Sequence, residues 1–208
     1  IKHWAGFPSK SIQYCLNEGG LGLGDLEHVA INQDSKANLW KKIGYTLSKG
    51  PDLSLVMDRI KNKRERASVR KELSASFKGD TFVGEVHEVE HHLAHLSSAF
   101  HVSSFQEAVV VSVDGFGDFA SAAWGIGIDS EITVDDRVYF PHSLGIFYES
   151  ITQFLGFKNY GDEYKVMGLA SYGTPKYFDE MIKVIFCKSS EIFSLNLDFF
   201  NHNKKNFE

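Results

Sequence analysis

The chain reads as an α/β protein. Two observations carry that class. Stretches with helical apolar spacing alternate with short apolar runs of strand length. Three of those runs follow one another in the middle of the chain, EAVVVSVDG, ASAAWGIGI and EITVDDRVYF. The 208 residues suffice for one large domain or two small lobes. Apolar residues make up 43% and charged residues 24%, the balance of an ordinary globular protein.

The elements follow in order. Pro8 suits the first turn of a helix through Ile12, Cys15 and Leu16, and Gly19-Gly20 suits its stop. Cys15 reads as a small core residue of that helix. HVAIN at 28–32 is a strand candidate. From Lys36 to Lys78 the composition turns charged and helical. Within it DRIKNKRERASVRKEL is basic, either a solvated helical insertion or a contact for phosphate or an acidic partner. TFVGEVHEV is a strand feeding the histidine-rich helix EVEHHLAHLSSAFH. EAVVVSVDG (107–115) is a continuous apolar run, as expected of a central strand covered on both faces. A tight loop holding Gly115 and Gly117 leads to ASAAWGIGI, and a third strand lies near EITVDDRVYF. SLGIFYESITQFLG is a helix, since Leu144, Phe147, Tyr148, Ile151 and Leu155 keep the 3, 4, 7 spacing. DEYKVMGLASYG gives a second helix, its start capped by Asp162 and Glu163, and PKYFDEMIKVIF a third, opened by Pro175.

Several partner classes are disfavoured at once. The net charge of −5 argues against a polyanion binder, so nucleic acid is not an expected partner. No stretch approaches the ~20 apolar residues of a membrane helix. Cys15 and Cys187 have no C-x-x-C partner, which points to a reducing, cytoplasmic setting. The chain opens on Ile1, and both ends read as cut.

The chemistry concentrates at H-x-x-x-H and D-G-x-G-D. On a helix His91 and His95 lie about 40° apart, while Leu93, Leu96 and Phe100 group on another face. The pair can aim two neutral imidazoles at one cation. His92 falls nearer Leu96 and is the poorer ligand. His87, four residues before His91, belongs to the preceding strand. Asp114 ends an apolar strand, where a carboxylate is costly unless paired or metal-bound. Alone it also fits a turn-forming Asp before Gly. Two histidines and one carboxylate suit non-haem iron, Fe(II), with zinc or manganese as alternatives. The glycines of DGFGD let backbone amides approach an anion, and Asp118 can ligate through water or orient a hydroxyl.

Four phrases, IKHWAGFPSKSIQYCL, HHLAHLSSAF, VVSVDGFGDFASAAWG and NYGDEYKVMGLASYG, resemble the carbamoyltransferase family of nodulation (NodU-type) and antibiotic O-carbamoyltransferases. The resemblance spans nearly the whole chain, weakly over 34–80. It implies part of an actin/sugar-kinase/Hsp70-like (RNase H-like) α/β domain with two lobes. Residues 1–104 would be the remainder of the first lobe, with a helical insertion at about 34–80, and 105–208 the start of the second. It implies carbamoyl transfer from carbamoyl phosphate, through an ATP-derived carbamoyl-adenylate, to a hydroxyl of a small-molecule or glycan acceptor. The metal ligands would be His91, His95 and Asp114, with a further aspartate downstream; Gly115, Gly117, Asp118 and Ser121 would face the nucleotide. Tyr164 and Lys165 are candidates for the same cleft, though Lys165 reads equally as a surface lysine. The family's opening strand and its C-terminal YrdC-like, adenylate-forming domain are missing from these residues, so residues 1–208 alone are expected to give no turnover. Two rivals stay open: a sugar kinase or tRNA threonylcarbamoyl transferase on the same fold, and a non-catalytic nucleotide-binding regulator.

Overall fold

A computed structural model describes residues 6–49, 69–188 and 191–203, divided between two units. The first comprises Ile1–Asn32 with Lys49–Val89, the second Gln33–Ser48 with Glu90–Glu208. The class is mixed α/β, as the sequence predicts.

In the first unit, helix α1 (Ser9–Gly19) follows Pro8 and closes on Gly20 at φ 64°, the left-handed conformation glycine adopts freely. Its inner face is Ile12 and Leu16, one turn apart, packed with Leu23, Leu73, Phe77 and Phe82. Cys15 is exposed, a correction to its reading as core: the Ile12–Leu16 stripe takes the buried face and leaves Cys15 beside it. Strands β1 (His28–Ile31) and β2 (Glu85–Glu88) pair in parallel, Val29 opposite Val86, and both valines pack on this core. Of the basic run, residues 58–68 lie outside the described residues. Its tail opens a helix (Val69–Ser76), where the Arg70 guanidinium donates to the carbonyls of Phe82 (3.0 Å) and Gly84 (2.7 Å). Arg70 thus fastens the chain ahead of β2.

The second unit is built on an antiparallel sheet ordered β3 (Glu107–Gly117), β4 (Ala120–Ile128), β5 (Glu131–Tyr139). The histidine helix (His91–Phe100), here α4 after α2 (Leu39–Lys49) and α3 (Val69–Ser76), covers one face. Its Leu96 and Phe100 are buried against Val110 and Ala123. The opposite face packs Ala122, Trp124 and Val138 against Leu144 of α5 (Leu144–Phe154) and Phe193 of β7 (Glu191–Leu195).

Three expectations change. Among the described residues β3 lies at an edge of its sheet, and Val109, Val111 and Val113 are 74%, 59% and 53% exposed. The strand covered on both faces is β4, whose small residues Ala120, Ser121, Ala122 and Ala123 admit packing from either side. Gly115 and Gly117 belong to the end of β3 rather than to the loop; the turn is Asp118-Phe119, both at positive φ. After α6 (Glu163–Ala170), the helix expected over PKYFDEMIKVIF shrinks to one turn, α7 (Phe178–Met181). Its β-branched and aromatic end instead enters β6 (Ile185–Lys188), which pairs with β7.

Helix α4 starts on Glu90, whose carboxylate accepts from the backbone N–H groups of His92 (3.2 Å) and Leu93 (2.9 Å) and meets Arg137 at 3.2 Å. Burial alone would raise this carboxyl, but the Leu93 N–H, Arg137 and the His92 N–H outweigh it and hold it below the ordinary range. Its stabilisation is therefore complete above the unfolded value, about pH 4.3, and is lost as pH falls through the lower folded value. Glu90→Gln should cost about 1–2 kcal/mol at neutral pH. Thermal unfolding followed from about pH 6 to pH 3 should show a shallower acid decline in the variant. An unchanged pH slope would contradict this role for Glu90.

Candidate metal centre

An α-helix begins with backbone N–H groups that have no partner inside the helix. In α4 the Glu90 carboxylate takes those of His92 and Leu93. The His91 N–H goes to Asp118 Oδ2 at 2.9 Å, and the same oxygen accepts from the Asp34 N–H at 2.8 Å. The Asp118 carbonyl receives the Asn38 side-chain amide at 2.9 Å. The β3–β4 turn is thereby fastened to the first residue of the helix, and that residue is His91. Two anionic carboxylates also suit the positive end of the helix dipole.

His92 turns inward. It is fully buried, with Nδ1 2.9 Å from the Ser112 hydroxyl, and burial pushes its imidazole below the usual histidine range. It is a neutral core residue, as its place beside Leu96 predicts.

Asp114 follows Val110 and Ser112 at two-residue intervals, so it shares the face that α4 covers. Pairing of β3 with β4 runs regularly to Val113↔Ala122 and resumes only at Gly117↔Ala120, so the residues between form a bulge. Ser143, the buried N-cap of α5, secures the bulge: its hydroxyl donates toward the carbonyls of Gly115 (2.8 Å) and Asp114 (3.1 Å) and accepts from the Ile146 N–H (3.1 Å). Gly145 lies so close that a Cβ there would stand 2.7 Å from the Asp114 carbonyl oxygen. On the other side of the bulge, a Cβ on Gly117 would fall 2.0 Å from the His91 ring. The absence of a side chain at 117 makes the space that His91 occupies.

The three predicted ligands meet. His91 Nε2 lies 2.9 Å from Asp114 Oδ2, His95 Nε2 lies 3.4 Å from the same oxygen, and the two Nε2 atoms are 3.1 Å apart. Ligands about 2.0–2.1 Å from a zinc-sized ion stand about 2.8–3.4 Å apart in octahedral or tetrahedral arrangement, so the spacing of the trio suits a divalent cation. Asp114 Oδ1 is fixed by the Gly115 N–H at 2.7 Å, leaving Oδ2 for the histidines. Burial alone would raise the Asp114 carboxyl; the His91 hydrogen bond, the Gly115 N–H and the two imidazoles outweigh it and lower it. Asp114 is 43% exposed, so the carboxylate at the end of this apolar run is paired with the histidines yet still reaches solvent. His91 is 19% exposed and His95 45%, so the trio is supported behind His91 and open beside His95 and Asp114. Catalytic metal sites keep such an open side.

The remaining candidates spread out. Gly115 and Asp118 adjoin the trio, the first through Asp114 and the second as a helix cap. Ser121 is fully buried, its hydroxyl turned to the carbonyls of His142 (2.5 Å) and Val138 (3.4 Å), so it braces β4. Lys165 pairs with Asp162 at 2.7 Å, a bond that raises the lysine and lowers the carboxyl. Tyr164 is exposed at 59% beside it. Asp162 precedes α6 as expected, but its carboxylate accepts from Asn159 and Lys165 instead of capping the helix. Glu90, Arg137, Ser143 and Gly145 escape the sequence reading. Ser143, directly ahead of an apolar helical pattern, carried the signature of a helix N-cap.

A buried-face helix presenting two histidines beside a strand-end aspartate defines a candidate metal-dependent enzyme domain. Residues 1–207 match the family described as carbamoyltransferase N-terminus, and the chain belongs to that family. It is 32% identical over 97% of its length to the uncharacterized protein sll1178 of Synechocystis, covering 34% of that protein. It is 34% identical over 84% of its length to nodulation protein NolNO of Sinorhizobium fredii, covering 25% of it. With nodulation protein NolO of Bradyrhizobium diazoefficiens the identity is 42% over 45% of the chain and 17% of the relative. The chain thus spans about a third or less of the length of these curated relatives.

Gly117→Ala tests the cradle. The variant should fold, with the His91 ring displaced and affinity for a divalent ion about tenfold or more weaker. Equal affinity, measured by titration calorimetry, would show that His91 does not need this space.

Proposed function

We propose that the intact protein is an O-carbamoyltransferase. It moves a carbamoyl group from carbamoyl phosphate, through an ATP-derived carbamoyl-adenylate, to a hydroxyl of a small-molecule or glycan acceptor. The observation that carries this reading is the convergence of His91, His95 and Asp114 within residues that match the carbamoyltransferase N-terminus.

In this reading His91, His95 and Asp114 hold a divalent ion, iron in preference to zinc or manganese for a two-histidine, one-carboxylate set. Bound there, the ion supplies Lewis-acid charge neutralisation to a phosphate oxygen. The chain's own groups set the geometry. Glu90 and Asp118 fix the helix turn that carries His91, and the Ser143-braced bulge fixes Asp114. The acceptor hydroxyl oxygen bonds to the carbamoyl carbon, the bond from that carbon to the phosphate oxygen breaks, AMP leaves with the electron pair, and the hydroxyl proton passes to solvent or a base. Lys165, held as a cation by Asp162, suits stabilisation of phosphate charge rather than proton abstraction. Gly115, whose Cα faces open space, gives the anion close approach beside Asp114.

His91→Ala with His95→Ala in the intact protein should remove the bound metal and reduce transfer of labelled carbamoyl groups from carbamoyl phosphate to hydroxyl acceptors by about a hundredfold or more. Undiminished transfer by a variant free of metal would overturn the assignment.

A further inference from the structure

A second set of side chains able to ligate a metal stands in the first unit, and the carbamoyl-transfer reading uses none of them. The core valines Val29 and Val86 face each other across the parallel pair β1–β2. Side chains alternate along a strand, so their neighbours share the opposite, outer face. His28 sits opposite Glu85, and His87 follows Glu85 by two residues on that same face. All three are exposed. His28 Nδ1 lies 2.9 Å from His87 Nε2, and His87 Nε2 lies 3.9 Å from Glu85 Oε2. The three donor atoms fall within 4.8 Å of one another.

We propose that His28, Glu85 and His87 form a second, cross-strand site for a divalent transition ion of the zinc class. Two imidazoles and one carboxylate favour Zn²⁺ and its neighbours, whereas Mg²⁺ and Ca²⁺ prefer all-oxygen shells. The separations bracket the edge of about 3.3 Å that a four-coordinate zinc site needs. The ligands ride on paired strands, which hold geometry better than loops. The ladder continues past both ends of the pair, Glu85 N–H to Glu27 O at 2.7 Å and Val89 N–H to Ile31 O at 2.8 Å, so the register that assembles the trio is held on both sides. A pair of strands this short is weak by itself. An ion bridging His28 on β1 to Glu85 and His87 on β2 joins the two strands directly. This site does not depend on the carbamoyl-transfer reading.

The test uses the intact protein carrying His91→Ala and His95→Ala, which silences the first centre, with and without His28→Ala and His87→Ala added. Co²⁺ titration followed by visible absorption should show one equivalent fewer bound once His28 and His87 are replaced. Zn²⁺ should slow amide hydrogen exchange in β1 and β2 only while both histidines are present. All three side chains are exposed, so the replacements leave the core intact, and circular dichroism checks this. Equal Co²⁺ uptake by the two proteins would overturn the proposal. So would Zn²⁺-induced shifts of the His28 and His87 ring resonances no larger than those of the exposed His101.

Discussion

Three backbone N–H groups open helix α4, and two carboxylates take them up. Glu90 caps two, and Asp118, from the β3–β4 turn, takes the third, that of His91. Those hydrogen bonds decide where His91 stands, because they tie the helix end at once to its own preceding residue and to the sheet. His95 follows one turn later on the same face, and His92 falls inward onto Ser112. The buried contacts of Leu96 and Phe100 hold the rest of the helix against the sheet. The Phe100 ring, seated on Gly127, and the caps together fix where the helix stands along its axis.

The aspartate half of the centre combines regular alternation with a fault in the ladder. Asp114 follows Val110 and Ser112 at two-residue intervals and so shares the face that α4 covers. The break between Val113 and Gly117 lies at this point, and the Ser143 hydroxyl and the close approach of Gly145 fix the backbone there. The centre therefore lies where a helix start, a strand bulge and a second helix start coincide. Each supplies rigid backbone dipoles, and together they leave one side of the ligand trio open. Helix starts and strand ends of this kind are where α/β proteins commonly bind phosphorylated ligands.

Much of this was legible in the sequence where periodicity speaks. The 3.6-residue turn selected His91 and His95 over His92, and the structure keeps that selection. The succession of three apolar runs gave the sheet of the second unit. Periodicity says nothing about which strand is central: among the described residues the valine-rich β3 lies at the sheet edge, while small residues mark the doubly covered β4. Cys15 misled for a related reason, since a residue beside an apolar stripe can fall on either flank of it. The contributions of Glu90, Arg137 and Ser143 depend on partners 20 or more residues away in the chain, such as Arg137 for Glu90 and Asp114 for Ser143. No local pattern encodes such pairings. The same holds for the His28, Glu85 and His87 trio, which only the parallel register brings together.

The capped helix start, and not only the presence of three donors, sets the geometry of the candidate metal centre. Asp118→Ala keeps His91, His95 and Asp114 and removes the carboxylate that accepts from the His91 and Asp34 N–H groups. The direct measurement is the divalent-metal affinity of the intact protein with and without this change. Affinity should weaken by about 10- to 100-fold at unchanged helix content; affinity equal to that of the unmodified protein would contradict a role for the cap.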